Sequence, residues 1–336
     1  MSRKKIILIT GSNGEIGKNL IDYFSKSKSS AIVSLDLQPN LDESKVHKHV
    51  VGSILDDTIL DDISSEFEIE EIYHLAAMLS TKSEIAPLSA HNINVNGTLK
   101  LIDLAIKQAI MKNSPVKFFF PSSIAIYGDI KKTDIPIKEN EFLNPKTIYG
   151  MNKLYCEQLG IYFSKNYHHL TNDYKPDLLD FRSIRFPGII SVTTKPTGGT
   201  SDYLPEMLHA ASDDKKTYEC FVGPKTKLPF MIMPDAIDAI CKLMNTQKSY
   251  LKNSIYNISA FSPSVEDFYK KLSIYFKDFN IKYDINEERQ KMVDGWPSEV
   301  DCSNALHDWN WKAKYNLDDS FREYFIPFLK SKETSS

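Results

Sequence analysis

Three side chains in this 336-residue sequence could move a proton on and off an alcohol. Tyr149 and Lys153 stand four apart in the run Tyr149-Gly150-Met151-Asn152-Lys153. On a helix, positions i and i+4 share a face. A phenol ionises near pH ~10, and an ammonium beside it favours the phenolate. A tyrosine so placed can act as a general base near neutral pH. Ser123 follows the apolar run 116–120, where its hydroxyl could bond a substrate oxygen.

Elements that could position such a group begin at the N-terminus. The run Ile6-Ile7-Leu8-Ile9-Thr10 breaks into Gly11-Ser12-Asn13-Gly14-Glu15-Ile16-Gly17, and a helical pattern follows from Lys18 to Phe24. A strand feeding a glycine turn feeding a helix N-terminus is an anion cradle, because the first helical N–H groups have no internal partner. Gly11 allows the tight turn, Gly14 lets backbone approach a pyrophosphate, and Gly17 lets helix and strand pack closely. About twenty residues beyond the last glycine, Asp36 ends the apolar run 31–35. A carboxylate there accepts an adenosine ribose 2′-OH and repels a 2′-phosphate. The expected cofactor is therefore NAD, held by Gly11, Asn13, Gly14, Glu15, Ile16, Gly17 and Asp36.

Strand-like runs at 6–10, 31–36, 71–76 and 116–120 alternate with helical patterns, clearest at 93–112 and 148–165. Alternation of this kind predicts a parallel sheet covered on both faces, with ligands beyond the carboxyl ends of the strands. The glycine turn, Asp36, Ala76-Ala77 and Ser122-Ser123 all fall at such ends. A strand at 179–186 runs into Pro187-Gly188, and 191–203 reads as a Thr/Pro/Gly-rich loop. Helices are expected at 204–212, 235–246 and 264–278, and a strand at 254–258. The fold class is α/β: a Rossmann-type doubly wound parallel sheet with a smaller C-terminal α/β substrate-binding domain. The expected bounds are 1–187 for the NAD-binding domain, with 233–258 returning to it. The substrate domain takes 188–232 and 259–330, and a polar, frayed tail 331–336.

Composition narrows the class. A net charge of −3 leaves no basic footprint for nucleic acid. Cys156, Cys220, Cys241 and Cys302 lie far apart, as reduced thiols would, and no cluster has metal spacing. No segment approaches the ~20 apolar residues of a membrane span, and the short N-terminal apolar run is not a signal peptide. The expected location is cytoplasmic, or mitochondrial if a presequence has been removed. His74 reads as a satisfied core histidine, Trp309 and Trp311 as packing residues, and Trp296 equally as a lid edge or a packing anchor. Asp202 reads as the N-cap of the helix that follows it, and Asp235 also as a cap.

The glycine turn, Asp36, Asn94-Val95-Asn96-Gly97-Thr98, Ser122-Ser123, Tyr149-x-x-x-Lys153 and Arg185-Phe186-Pro187-Gly188 together resemble the extended short-chain dehydrogenase/reductases, in the right order across 6–190. The resemblance implies that Tyr149 is the acid/base and that Lys153 lowers its pKa and holds the nicotinamide ribose. It implies that Ser123 orients the substrate hydroxyl and that Asn94 supports the lysine through water. Leu75, Ala76, Ala77, Ser122 and Pro187 would line the cofactor. Ser53, followed by Ile54, stands where the family often has an aspartate beside the adenine, so that contact should be weaker or backbone-borne.

Later blocks resemble one branch, the short-chain L-threonine 3-dehydrogenases. They are Gly198-Gly199-Thr200-Ser201-Asp202-Tyr203, Tyr218-Glu219-Cys220-Phe221, Leu228 through Ala236, and Arg289-Gln290 through Trp296-Pro297 to Trp311. That resemblance implies oxidation of L-threonine at its 3-hydroxyl, in a homodimer paired through the helices at 93–112 and 148–165. Substrate contacts would come from Ser80, Ser123, Tyr149, Gly188, Thr200 and Trp296. The N–H groups around Gly188 and Gly199 would help to bind the zwitterion. A nucleotide-sugar epimerase or dehydratase is the alternative enzyme. Its diphosphate calls for arginine forks, yet the arginines are only Arg3, Arg182, Arg185, Arg289 and Arg322. Ala125 and Ile126 also stand where dehydratases carry an acidic pair. An NAD-sensing scaffold without turnover would not need Ser123, Tyr149 and Lys153 together.

Overall fold

The apolar runs of the first half become neighbouring strands of one sheet in a computed structural model, which describes residues 3–27, 31–39, 42–130, 135–172, 174–196, 198–213 and 217–333. In chain order the strands are β1 (Lys4–Thr10), β2 (Ala31–Asp36), β3 (Lys48–Val51), β4 (Phe67–His74), β5 (Val116–Ser123), β6 (Leu179–Phe186), β7 (Gly188–Ile190), β8 (Thr217–Cys220), β9 (Phe230–Ile232), β10 (Ile255–Asn257) and β11 (Asn280–Tyr283). The main helices are α1 (Glu15–Ser27), α2 (Asp57–Glu66), α3 (Ser80–Ile85), α4 (Pro87–His91), α5 (Gly97–Lys112), α6 (Ile148–Lys165), α7 (Tyr203–Ser212), α8 (Met233–Asn245), α9 (Val265–Tyr275), α10 (Glu287–Asp294) and α11 (Ser303–Trp309).

The large sheet has the order β10-β6-β5-β4-β1-β2-β3. The β1·β2, β2·β3, β1·β4 and β4·β5 pairs run parallel. The expected Rossmann-type α/β fold is the one observed. Strands covered on both faces must be apolar throughout, and Leu8, Val33, Ile69, Ile72, Phe118 and Phe120 form one buried core. β6 is buried at every position although it carries two arginines. Arg182 pairs with Asp180 at 2.6 Å and donates to the carbonyls of Leu243, Met244 and Thr246. Those carbonyls lie in and just past the last turn of α8, so the buried charge is satisfied where the helix dipole is negative.

By its contacts the chain divides into two units. The first gathers Met1–Ser122, Thr147–Ile184 and Ile240–Ile255, and the second Ser123–Lys146, Arg185–Ala239 and Tyr256–Ser336. In the second, β7 pairs in parallel with β9, and β8 with β11. Tyr203 of α7 meets the edge of Phe230, and Phe268 of α9 packs on Phe321 and Phe325.

Several local readings need correction. The strand read at 71–76 starts at Phe67 and ends at His74. The helix read at 93–112 begins with a wide turn over Asn92–Asn96, in which the Gly97 N–H reaches the Asn92 carbonyl, before α5 proper. Asp235 is no cap: it lies in the first turn of α8, buried, and accepts the backbone N–H groups of Lys314 and Tyr315. The expected frayed tail is helical as far as Glu333, and 334–336 lie outside the described residues.

Candidate active site

In the first unit, register brings the strand ends together. Thr10 pairs with Leu35 on one side and His74 on the other, and Asp36 pairs with Val51. Gly11, Asp36, Leu75 and the Gly52–Ile54 stretch therefore leave the sheet at one edge. Gly11 has φ +66°, and a Cβ there would stand 2.5 Å from the Ala76 nitrogen. A Cβ on Gly17 would meet the carbonyl oxygens of Gly11 and Ser12 at 2.7 Å, so helix α1 rests directly on the turn.

The Asn13 N–H donates to Asp36 Oδ2 at 2.9 Å, and the Gln38 N–H to Oδ1 at 3.1 Å. Asp36 is thereby fixed against the turn with acceptor capacity left over. Ser12 Oγ, Asn13 Oδ1 and, at the end of β5, Ser122 Oγ are buried with no hydrogen-bond partner. Orphaned polar atoms call for a ligand or water. The residues fit a dinucleotide: the turn and the start of α1 for its diphosphate, Asp36 for a ribose hydroxyl.

Other expected cofactor residues have local tasks. Ser53 Oγ accepts the Leu55 N–H, so the side chain in place of the expected acid turns into its own loop. Ile54 is buried, its Cδ1 2.4 Å from where a Gly97 Cβ would be. Leu75, Ala76, Ala77 and Ser80 are half-buried between β4 and α3. Asn94 binds Met78 twice, Oδ1 accepting its N–H and Nδ2 donating to its carbonyl, while the Asn94 carbonyl accepts from Cys156 Sγ. A directed chain runs through the buried His74. The Thr98 hydroxyl donates to the Asn94 carbonyl at 2.5 Å, so His74 Nε2 donates to Thr98 at 2.9 Å and Nδ1 accepts from Thr10 at 2.9 Å. Burial pulls the imidazole pKa down to about 3, so His74 is a neutral structural residue.

Helix α6 starts where it does because the Thr147 hydroxyl accepts the Gly150 N–H at 2.9 Å. Glu84 Oε1 takes the Ile148 N–H. Tyr149 thus falls in the first turn, half-buried, with Lys153 one turn later and buried. Lys153 Nζ lies 5.5 Å from the Tyr149 ring centre and 4.6 Å from that of Phe120, and donates to the Pro121 carbonyl at 2.7 Å. Burial lowers the lysine pKa to about 8 and raises the tyrosine to about 12. The expected lowering of the phenol is absent here, because the ammonium lies over the ring and is bonded to a carbonyl. Sequence reasoning gave no signal for Pro121 as that partner.

The second unit holds the remaining site residues. Ser123 Oγ accepts the Ala125 N–H at 3.1 Å, capping the turn Ile124–Ile126 and leaving its own proton to donate. Pro187 is buried. The Gly188 N–H donates to the Pro229 carbonyl, and a Cβ at Gly188 would lie 2.3 Å from the Phe230 ring. The Gly199 N–H donates to Asp202 Oδ2 at 2.6 Å. The N–H groups of Gly188 and Gly199 themselves are therefore engaged within the fold, which leaves only neighbouring N–H groups of the expected set for the zwitterion. The reading of Asp202 needs correction: it precedes α7 but turns its carboxylate back to Gly199 instead of forward as a cap. Thr200 is buried, its hydroxyl facing Met292 Sδ at 3.7 Å. Trp296 is buried with its indole N–H unpartnered. Trp309 and Trp311 stack on each other in the core, 5.7 Å apart.

A parallel α/β sheet with a glycine cradle and a fixed carboxylate at its carboxyl edge defines a Rossmann-type protein built for a dinucleotide. The chain belongs to the NAD dependent epimerase/dehydratase family, whose sequence profile matches residues 7–259. It is 30% identical over 315 residues to the mitochondrial L-threonine 3-dehydrogenase of Bos taurus, spanning 93% of this chain and 80% of that one. An uncharacterized epimerase/dehydratase of Staphylococcus epidermidis is 33% identical, over 93% and 94% of the two chains. The apo structure of a monomeric L-threonine 3-dehydrogenase from a metagenome superposes with a TM-score of 0.83 at 36% identity, over 97% and 99%. No helix among the described residues is long and apolar enough to cross a membrane.

Proposed function

We propose that the chain oxidises the 3-hydroxyl of L-threonine to 2-amino-3-oxobutanoate with NAD as acceptor. The observation that carries this reading is Tyr149 and Lys153 on one face of α6, in a chain similar along nearly its whole length to threonine dehydrogenases. Tyr149 takes the hydroxyl proton. It needs a positive charge nearby to ionise, and Lys153 is the cation on its face. Ser123 donates to the substrate oxygen. Bound NAD supplies the hydride acceptor, chemistry no side chain here can provide. Asp36 and the glycine turn hold the adenosine end, and the carboxylate selects NAD over NADP.

The arginines weigh against a sugar-nucleotide substrate. Arg3 donates to the Ser64 carbonyl, Arg182 to the end of α8, and Arg185 to Tyr127 and the Glu139 carbonyl. Arg289 holds the carbonyls of Gly198 and Gly199, and Arg322 pairs with Asp319 and Glu323. Each guanidinium already has acceptors, which suits a small zwitterion better than a diphosphate. Homodimerisation belongs to the same reading: Met151, Tyr155 and Tyr162 are about half exposed along α6, as are Ile110 and Met111 at the end of α5. Purified protein with L-threonine and NAD should form NADH with saturation in both. Interconversion of UDP-sugars with no NADH from threonine would overturn the assignment.

A further inference from the structure

We propose that Arg289 is a positioning residue that clamps the Gly198–Gly199 peptides and so presents Thr200 to the substrate. This rests on the threonine reading, and one readout below is independent of it. The clamp stands on an anchored helix. Asn286 Oδ1 caps α10 by accepting the Arg289 N–H at 3.0 Å, and the Asn286 N–H donates to the Phe221 carbonyl. Gln290 accepts the Gly223 N–H at 2.7 Å and bonds the Thr226 hydroxyl. The cap residue Asn286 and Gln290 of α10 thus tie the helix to the segment after β8.

From that base Arg289 Nη2 donates to the Gly198 carbonyl at 3.0 Å and to the Gly199 carbonyl at 3.1 Å. Its guanidinium carbon stands over Phe221, 3.8 Å from the ring centre. Met292, near it on the same helix, faces the Thr200 hydroxyl. On the opposite side Asp202 holds the Gly199 N–H. Gly198 has φ +89°, a conformation that side chains resist. The segment is gripped by its carbonyls and by an N–H, while the hydroxyl of Thr200 has only a thioether, a weak acceptor that a polar ligand would replace. Lysine cannot stack and bridge two carbonyls as a planar fork can.

Full-length Arg289→Met and Arg289→Lys test this by steady-state kinetics and amide hydrogen exchange. In Arg289→Met the KM for threonine should rise roughly ten- to a hundredfold, the weight of a hydrogen bond to a charged group. The Kd for NAD should be unchanged and kcat little altered, and Arg289→Lys should fall between. Exchange across 198–202 should accelerate while β1 and β4 stay protected. A fall in kcat and thermal stability with an unchanged threonine KM would make Arg289 merely structural and overturn the proposal. Unchanged exchange at 198–202 would overturn the clamp whatever the substrate. Faster exchange in a protein whose native form does not oxidise threonine would support the clamp and remove only the threonine reading.

Discussion

The Lys153 ammonium donates to the carbonyl oxygen of Pro121, at 2.7 Å, from a buried position one helical turn beyond Tyr149. One hydrogen bond to a neutral carbonyl does not replace the water the ammonium lost, and its pKa falls from 10.5 to about 8. The cation that should activate the tyrosine is held at a cost.

That cost is measurable. A drop from 10.5 to about 8 is worth roughly 3 kcal/mol against the charged form. Below pH ~8 both folded and unfolded chains hold the proton, and the penalty is constant. Between about 8 and 10.5 the folded chain releases it while the unfolded chain keeps it, so stability rises with pH. Urea unfolding should show a gain of about 2 kcal/mol between pH ~7 and ~9.5. Lys153→Met should lack that gain, be the more stable protein at neutral pH, and be inactive. Equal pH slopes in the two proteins would show that Lys153 titrates normally.

Tyr149→Phe keeps the ring and removes the proton acceptor. Its kcat should fall by about 10²- to 10⁴-fold, the usual weight of a general base, with NAD affinity nearly kept. Because burial holds the phenol near 12 in the unliganded protein, a kcat/KM that rises from neutral to alkaline pH is expected, and the rise should vanish in the variant. A variant with most of its activity intact would take Tyr149 out of the reaction.

Asp36 is oriented by the Asn13 and Gln38 N–H groups, and a 2′-phosphate would meet that fixed charge at close range. Asp36→Ala should weaken NAD binding and narrow the preference over NADP. Equal turnover with the two cofactors in the native protein is the result that would defeat this.

His74 makes the fold sensitive to acid. Its folded pKa of about 3 lies below the ordinary 6.5, so the unfolded chain binds a proton that the folded chain refuses. Stability should fall as pH drops from 6.5 toward 3, by roughly 4 to 5 kcal/mol over the whole window. His74→Gln should lose about one proton of that dependence in urea titrations between pH ~4 and ~6.5. An unchanged slope would place the acid sensitivity in other groups.

The parts of this structure legible in the sequence were those with dense local signals. Helix α6 has the residues read for it, 148–165, because its cap and apolar pattern are both local, and β2 and β6 likewise match. β3 was missed because Lys48-His49-Val50-Val51 is short and half-buried at most, and α2 because Asp and Ser dominate it. The β8·β11 pair joins segments about sixty residues apart, which periodicity cannot connect. At the site, the glycine turn and Asp36 could be placed from spacing alone. The engagement of the Gly188 and Gly199 N–H groups could not, since Pro229 and Asp202 compete for them only once the chain has folded. Arg289 meets Gly198 across ninety residues and left no local trace.

The first unit is assembled from three stretches of chain, the last of them Ile240–Ile255. During synthesis the glycine turn, Asp36, Tyr149 and Lys153 are all made before that stretch exists. Until it emerges, β6 lacks its neighbour β10, and the guanidinium of Arg182 lacks the three carbonyls after residue 242 that satisfy it. A nascent chain stopped just before residue 240 therefore carries the glycine turn, Asp36, Tyr149 and Lys153 and still presents a bare strand edge, with Arg182 paired to Asp180 but without those carbonyls. The ribosome must deliver more than two-thirds of this protein before the last stretch of its first unit begins to emerge.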